Sequence, residues 1–438
     1  MEKIEFTKEM KKDYTILIPD MAPIQFTLIK GALEKYGYKI KILKNQGPSV
    51  VDEGLKNVHN DTCYPALLVI GQMIDALKSG NYDLNKVALM ITQTGGGCRA
   101  SNYIHLLRKA LKKSGLGHIP VLSLNFSGLE KGNGIKITLP ILKKAAIAIL
   151  YGDLLMLLNN QSKAYEVNKG ESNELLNYWL DKLAGEFRIN RGFKNGEMEA
   201  NFNEIVKSFD TIPKEYTQKV KVGIVGEIYV KFSGLGNNNL EEFLDNEDCE
   251  VMVPGLMGFI MYCVENGIID YKLYGNGYLK SKVFDFVIDY VGRMENMIIN
   301  IVKKSNFIPP SPFKHLKSLV KDVVGLGCKM GEGWLLPAEM VELIQQGYDN
   351  IICTQPFGCL PNHIVGKGVI SNIKSIYPNA NIVPIDYDPS ATKVNQENRI
   401  KLMLSVAKEK LQSEGEVKET IAVEDLAVDK NLCLAHIK

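Results

Sequence analysis

One stretch of the chain, residues 351–363, combines a buried strand, a loop rich in glycine and proline, and the start of a helix. The apolar residues 350–353 predict the strand, and Pro356, Gly358 and Pro361 punctuate the loop that follows. Cys353 and Cys359 bracket this loop. Open α/β sheets bind ligands where strands end and helices begin, and helix amino termini favour anions such as thiolates. The stretch therefore predicts two thiols at the ligand-binding edge of an α/β sheet.

The same alternation of strand and helix patterns occurs near the start of the chain. Residues 14–19 predict a first strand, a helix pattern ends at Gly37, and residues 38–43 predict a second strand. Residues 87–92 and 119–124 predict two more strands, each separated from the preceding strand by a helix pattern. Strands that alternate with helices are typical of a parallel sheet.

The alternation restarts at residues 220–225 after a long helical stretch at 139–209. The predicted fold class is therefore α/β, with two Rossmann-like or flavodoxin-like parallel-sheet domains joined by a helical segment. The domain boundaries that we predict are listed here in chain order: residues 1–138 for the first α/β domain, 139–215 for the helical connector, 216–412 for the second α/β domain, and 413–438 for a charged tail.

Composition excludes several classes of partner. The chain has 438 residues, of which 45% are hydrophobic and 23% are charged, and a net charge of +2. This charge balance gives no sign of a nucleic-acid partner. No run approaches the roughly 18 apolar residues of a membrane span, and the charged first residues do not form a signal peptide. We therefore expect a cytoplasmic protein with no membrane partner.

The chain has eight cysteines. In a reducing cytoplasm, thiols in loops favour metal binding or redox chemistry over structural disulfides. The cysteines that lie in loops beside glycine or proline are Cys63, Cys98, Cys328, Cys353 and Cys359. Iron–sulfur clusters take thiolates from such loops. The alternatives are a zinc site, or a redox-active dithiol pair formed by Cys353 and Cys359. We expect Cys249 and Cys263 to be small buried hydrophobic residues, and Cys433 to be incidental.

Other residues near these loops are candidates for supporting roles. The residues that we predict to contact a cofactor are Gly95, Gly96, Gly97, Gly331, Asn362 and His363. Glycines let the backbone approach a bulky group without a Cβ clash. Glu332 and His363 are candidate catalytic groups, because loop carboxylates and imidazoles serve as acids or bases. No phosphate-binding P-loop motif is present, so the chain itself is not expected to hydrolyse ATP.

Several motifs together resemble one known family. They are NDTCYPA (60–66), GGGCRA (95–100), VGIVGEIYV (222–230), NNNL (237–240), GEGW (331–334) and CTQPFGCLPNHIVGKG (353–368). With these motifs the chain resembles the 2-hydroxyacyl-CoA dehydratase superfamily, in particular its activase-related and double-cubane iron–sulfur cluster branch. The resemblance covers roughly residues 12–410.

The resemblance implies a [4Fe-4S] or double-cubane [8Fe-9S] cluster between two Rossmann-like domains. It also implies a separate ATP-dependent activase of the BadF/HgdC type as electron donor, and a homodimer or a heterodimer with a related subunit. The implied metal ligands are the five loop cysteines named above. A double cubane needs one thiolate more than these, which Cys263, a sulfide-only site or a partner subunit would supply.

The leading functional prediction is an iron–sulfur oxidoreductase that takes low-potential electrons from the activase and reduces a small substrate at an interdomain cluster. The first alternative is a subunit of a 2-hydroxyacyl-CoA dehydratase, which is a radical lyase. The second is a cluster carrier or electron relay without catalysis of its own.

Overall fold

The computed structural model describes residues 4–59, 61–93, 97–125 and 138–434. In this part of the chain eight strands form two four-stranded sheets. All neighbouring strands within each sheet run parallel. Helices connect the strands, as parallel pairing requires. The predicted α/β class with two parallel sheets is therefore confirmed.

The first sheet lies in the amino-terminal half. Its strands are β1 (Thr15–Ile18), β2 (Lys39–Ile42), β3 (Val87–Gln93) and β4 (Val121–Asn125). Their order across the sheet is β2-β1-β3-β4. The order reverses beside β1, because the chain first adds β2 on one side and then β3 on the other. Ligand sites of open α/β sheets lie at such a reversal, outside the carboxyl ends of the strands.

Five helices surround this sheet. They are α1 (Met10–Asp13), α2 (Pro23–Glu34), α3 (Pro48–Asn57), α4 (Tyr64–Lys78) and α5 (Tyr103–Lys113). Proline stands in the first turn of α2, α3 and α4, where its missing N–H costs no helical hydrogen bond. A short 3₁₀ turn, Arg99–Asn102, precedes α5. Both α4 and α5 therefore begin directly after a cysteine-bearing loop.

A helical connector follows the first sheet, as predicted. Its helices are α6 (Leu139–Lys163), α7 (Glu171–Arg188) and α8 (Asn195–Asp210). Aromatic rings form its centre: the ring centroids of Tyr151 and Phe202 are 4.6 Å apart, and those of Phe187 and Phe193 are 4.5 Å apart. The connector is therefore held mainly by apolar packing.

Helix α6 also ties the two halves of the chain together through Asp153. The carboxylate of Asp153 accepts a hydrogen bond of 2.8 Å from Gln25 Nε2 in the first half. It also accepts the backbone N–H groups of Leu256 and Met257 in the second half, at 3.0 and 2.8 Å. One carboxylate thus joins three parts of the chain.

The second sheet repeats the topology of the first. Its strands are β5 (Val220–Gly226), β6 (Cys249–Met252), β7 (Asn350–Pro356) and β8 (Asn381–Tyr387). Their order is β6-β5-β7-β8, so the reversal lies beside β5. Nearly every residue of β5, β6 and β7 is buried, which is typical of parallel strands covered on both faces.

The helices of the second half are α9 (Ile228–Phe232), α10 (Gly234–Asn237), α11 (Leu240–Asn246), α12 (Leu256–Tyr274), α13 (Tyr278–Val302), α14 (Phe313–Ser318), α15 (Leu335–Gln345), α16 (Leu360–Asn362), α17 (Ile370–Ile376) and α18 (Lys393–Leu434). A π-helical turn, His363–Lys367, follows α16. The backbone of α18 stays helical through most of the predicted tail. Among the described helices, none combines the length and the apolar character needed to cross a membrane. The domain boundaries stay predictions.

Candidate metal centre

Cys63 lies at the contact between the two halves. It immediately precedes α4, and the backbone N–H of the next residue, Tyr64, donates a 2.9 Å hydrogen bond to the carbonyl oxygen of Phe357. Phe357 follows β7 directly, in the loop that the sequence predicted. The loop before α4 and the loop after β7 therefore meet at their backbones.

Gly358 allows this close approach. Its φ is +75°, a conformation that residues with a Cβ rarely adopt. A Cβ at this position would lie 3.0 Å from Cys63 Cα and 3.2 Å from Cys63 N. Only glycine fits here without a shift of the backbone. The contact brings Cys63 beside Cys359, the next residue along the loop.

Cys98 lies in the neighbouring loop of the first half. Its Sγ accepts the backbone N–H of Ala100 at 3.5 Å, just before α5 begins. The guanidinium of Arg99 donates to the carbonyl oxygen of Asp61, which ties this loop to the loop of Cys63. In addition, the Tyr103 hydroxyl and the Cys63 thiol lie 2.8 Å apart and share a hydrogen bond.

The loop of Cys328 packs between these segments. The side chain of Met330 contacts Gly97, and a Cβ at Gly331 would lie 3.0 Å from Cβ of Pro361. The N–H of Trp334 donates a 2.7 Å hydrogen bond to the carbonyl oxygen of Cys328, which closes the loop. Cys328 itself is exposed. The loop contacts the neighbouring loops through Met330 and Gly331.

Cys353 is set apart from the other predicted ligands. Strand β7 was predicted to end at this residue but continues to Pro356, so Cys353 lies inside a strand and is fully buried. Gln355 Nε2 approaches its Sγ at 3.9 Å. Burial is the main cause that raises the pKa of this thiol to about 12. These surroundings are those of a core thiol.

Two carboxylates, Glu227 and Glu332, lie beside the cysteine loops. Glu227 Oε2 accepts the N–H groups of Tyr229 and Val230, at 3.1 and 3.0 Å, and so caps α9. Glu332 Oε1 accepts the N–H of Ile228 at 3.0 Å. Burial, followed by repulsion from Glu332, raises the pKa of Glu227, and burial raises that of Glu332. Desolvation and a neighbouring carboxylate both disfavour the ionised form of such a group.

Four thiols surround this carboxylate pair. Burial raises the pKa of Cys98 to about 12, and the charges of Glu332, Glu227 and Cys63 raise it further. Cys263 is exposed on the surface of α12, yet desolvation by the protein atoms packed around its thiol, followed by the charges of Glu332 and Cys98, raises its pKa to about 12. Burial, followed by Glu332, Glu227 and Cys98 among the charges, raises the pKa of Cys359. We call Cys63, Cys98, Cys263, Cys359, Glu227 and Glu332 the cysteine site.

Asn362 is buried next to this site without a partner. Its side chain is fully buried, and neither Nδ2 nor Oδ1 has a hydrogen-bond partner among the described residues. A Cβ added at Gly366 would lie 3.0 Å from Asn362 Oδ1 and 3.2 Å from Cys353 Sγ. A buried amide without partners is costly. The amide of Asn362 thus remains free to bind a polar group, and its predicted contact with a cofactor stays a prediction.

The other predicted residues divide into several groups. Gly95 and Gly96 lie outside the described residues, whereas Gly97 and Gly331 line the contacts between the loops. The imidazole Nδ1 of His363 lies 3.1 Å from the amide of Gln355, which orients the ring. Cys249 is buried as expected. The expectation that Cys263 is a buried hydrophobic residue is wrong, because Cys263 is exposed on α12.

The possible donors at this site are spread over several loops and one helix. In the described part of the chain, no group of three or more His, Cys, Asp or Glu side chains is arranged to hold one ion. The thiolates of a cluster bind different iron atoms, so they lie farther apart than the ligands of one ion. Thiols from separate loops, together with the unpartnered amide of Asn362, match that requirement.

A cavity of about 440 Å³ opens beside Cys98. Its lining residues are Gln93, Gly97, Cys98, Arg99, Ser101, Asn102 and His105. The size is that of a site for a small molecule, and the lining is polar with at least one cation. The cavity therefore offers space for a small polar ligand next to one of the thiols.

Sequence reasoning missed Tyr103, and it named Cys263 only as one of three possible sources of a further thiolate. Both lie on helices, where nothing in the local pattern separates them from packing residues. The comparisons with known proteins add no family: no protein-family model matches the chain, and no curated protein matches it. The family resemblance therefore continues below as part of a proposal.

Proposed function

We propose that the chain is an iron–sulfur protein that receives low-potential electrons from a separate ATP-dependent activase of the BadF/HgdC type and reduces a small substrate. In this proposal both halves are Rossmann-like or flavodoxin-like domains. The shared strand order, with a reversal beside the first strand of each sheet, supports that assignment. The cluster is a [4Fe-4S] or a double-cubane [8Fe-9S] cluster.

One observation carries the proposal. Loops at the carboxyl edges of both sheets converge, and they bring Cys63 and Cys98 of the first half beside Cys359 of the second half. Thiols so far apart in the sequence have no structural reason to meet, since none of the described cysteines forms a disulfide. A shared metal cluster provides that reason.

The residues that would hold the cluster are Cys63, Cys98 and Cys359, with a further thiolate considered below. When bound, the cluster supplies one-electron transfer. The chain itself contributes a hydrogen bond from Tyr103 to Cys63, which orients that thiol. The carboxyls of Glu227 and Glu332, whose pKa values are both raised mainly by burial, lie close to the thiols. Reduction of most small substrates consumes protons, so this pair is the candidate proton source.

The cavity beside Cys98 supports a small, polar substrate. Arg99 and His105 line it, so an anionic or hydrogen-bonding substrate suits it better than an apolar one. Exposed apolar residues on α13, including Leu279 and Phe286, which are 78% and 65% exposed, support a subunit partner, because monomers rarely expose such side chains in groups.

The proposal is tested by anaerobic reconstitution of the full chain with ferrous iron and sulfide. We expect iron and sulfide in roughly equal amounts, about four irons per chain for one [4Fe-4S] cluster and about eight for a double cubane. An EPR signal should appear on reduction. Zinc alone, or no metal at all, in protein purified without oxygen would refute the proposal.

The relay alternative is favoured by a separate observation. Exposed apolar side chains surround the loops of the cysteine site: Met330 is 56% exposed, Leu360 68% and Ile364 56%. Such a rim is typical of a docking surface for another protein. A turnover assay that contains the activase, ATP and a panel of small electron acceptors distinguishes the two functions. Turnover without another protein supports the reductase, and reduction of the cluster without turnover supports the relay.

A further inference from the structure

We infer that Cys263 on α12 supplies the fourth thiolate of the site, beside Cys63, Cys98 and Cys359. Cys328 and Cys353 then lie outside the ligand set. This inference rests on the proposed cluster and specifies its ligands. A [4Fe-4S] cluster takes four thiolates, one for each iron, so the four thiols complete one such cluster without a partner subunit.

The first support is the packing of α12 against the loop that ends at Trp334. The ring centroids of Tyr262 and Trp334 are 5.0 Å apart, and Trp334 Nε1 donates a 3.3 Å hydrogen bond to Asn266 Oδ1. Residues 262 and 266 are one helical turn apart and share a face. Cys263 lies within this turn, next to the same loop.

The second support is that the loop in turn contacts the segments of the other thiols. Met330 contacts Gly97, which precedes Cys98, and Gly331 lies against Pro361, two residues after Cys359. The loop therefore touches helix α12, the Cys98 loop and the Cys359 turn. These contacts bring the elements that carry Cys98, Cys263 and Cys359 together on the carboxyl side of both sheets.

The third support is electrostatic. The charge of Cys98 acts on both Cys263 and Cys359, and the charge of Cys63 acts on Cys98. Glu332 acts on Cys98, Cys263 and Cys359 alike. Cys98 is thus coupled to each of the other three thiols, as expected of ligands around one bound group.

The two remaining loop cysteines have different surroundings. Among the charges that act on Cys353, the strongest is Asp386 on β8, and its fully buried thiol lies against Gly366, close to the Asn362 amide. The carbonyl oxygen of Cys328 accepts the N–H of Trp334, and its side chain, like that of Cys263, is exposed. Neither position requires a metal to explain it.

The test compares two exposed cysteines, Cys263 and Cys328, in the full chain. Neither substitution opens a cavity in the core, so Cys263→Ala and Cys328→Ala should both fold like the wild type; urea denaturation of the metal-free proteins checks this. After anaerobic reconstitution, Cys263→Ala should lose at least a quarter or so of the iron, because one iron of four lacks its protein ligand. Cys328→Ala should keep the wild-type iron content.

A conservative pair of variants gives a spectroscopic readout. Cys263→Ser replaces sulfur by oxygen at a ligand position, so the EPR signal of the reduced protein should change while much of the iron is kept. Cys328→Ser and Cys353→Ser should give the wild-type signal. Wild-type iron content and spectrum in both Cys263 variants would overturn the inference. If the wild-type protein itself binds no iron, the proposed function fails instead.

Discussion

The interior of the helical connector and the cysteine site lie in the same molecule, but their chemistry is opposite. The connector fills its interior with aromatic rings such as Tyr151, Phe187 and Phe202. The cysteine site fills a comparable space with thiols and with the carboxylates Glu227 and Glu332. Apolar packing stabilises a fold, whereas buried ionisable groups cost stability unless they are paired. The difference indicates that the connector holds the molecule together and that the cysteine site is maintained for its chemistry.

The largest expected effect lies near the cysteine site, at the buried ion pair of Lys231 and Glu339. Lys231 Nζ lies 3.0 Å from Glu339 Oε1, and the two side chains are 1% and 2% exposed. Lys231→Met leaves a buried carboxylate unpaired and should cost about 3–5 kcal/mol in the free energy of unfolding. The double variant with Glu339→Leu should recover most of that loss in urea denaturation. Equal losses in the single and double variants would contradict this account.

A comparable loss is expected in the connector, but without any effect on metal. Phe202 is fully buried, so Phe202→Ala removes ring contacts and leaves a cavity, at a cost of about 3–5 kcal/mol. Urea denaturation measures the loss, and Tyr178→Ala, at a position 56% exposed, serves as the control. At urea concentrations too low to unfold it, the Phe202→Ala protein should bind as much iron as the wild type. If folded Phe202→Ala protein lost iron, the connector would not act on stability alone, and the contrast with the cysteine site would fail.

The pH dependence of stability should arise from the carboxylates near the site. Burial raises the pKa of Glu342 from 4.5 to about 7. Below pH 4.5 the Glu342 carboxyl is protonated in both the folded and the unfolded chain. Between pH 4.5 and 7 the unfolded chain ionises first, so the stability that Glu342 contributes is lost as pH rises, by about 3 kcal/mol.

Glu342→Gln should flatten this slope when unfolding is measured by urea at several pH values. Glu204→Gln, at a side chain 58% exposed, should leave the slope unchanged. A wild-type stability that rises from pH 5 to 7, or a slope that Glu342→Gln does not alter, would argue against Glu342 as its source.

A smaller effect is expected where the two halves touch. Gly358→Ala adds a Cβ against Cys63 at a positive φ and should cost about 1–3 kcal/mol. Gly347 also has a positive φ, of +86°, but a Cβ there meets no atom within 4 Å. Gly347→Ala therefore measures the backbone strain alone. Only Gly358→Ala should also weaken iron retention; equal retention in both would show that the close approach is not needed.

The smallest effect concerns one hydroxyl in each region. Tyr103→Phe removes the hydrogen bond to Cys63 and should cost about 1 kcal/mol. It should also make the reduction potential of the loaded protein more negative, because a donor to the thiolate favours the reduced state. Tyr151→Phe removes a hydrogen bond to the Gly192 carbonyl in the connector at a similar cost. A potential that shifts equally in both variants would contradict a specific role for Tyr103.

Much of the fold was predictable, because strand and helix periodicity is local. The strand at residues 14–19 and the glycine that ends the next helix were visible in the pattern, and so was the second sheet. The site was predictable only in part. Cys63, Cys98 and Cys359 stand beside glycine or proline, which marks a loop. Cys263 has no such neighbour, and its approach to Cys98 depends on how α12 packs, which no local pattern records.

The backbone hydrogen bond from Tyr64 to Phe357 has a consequence for how molecules enter. It lies one residue after Cys63 and two residues before Cys359, so a hinge motion that parted the two lobes would break it and pull these thiols away from each other. If the site binds a small molecule, as proposed, the open cavity beside Cys98 gives it access without any parting of the two lobes.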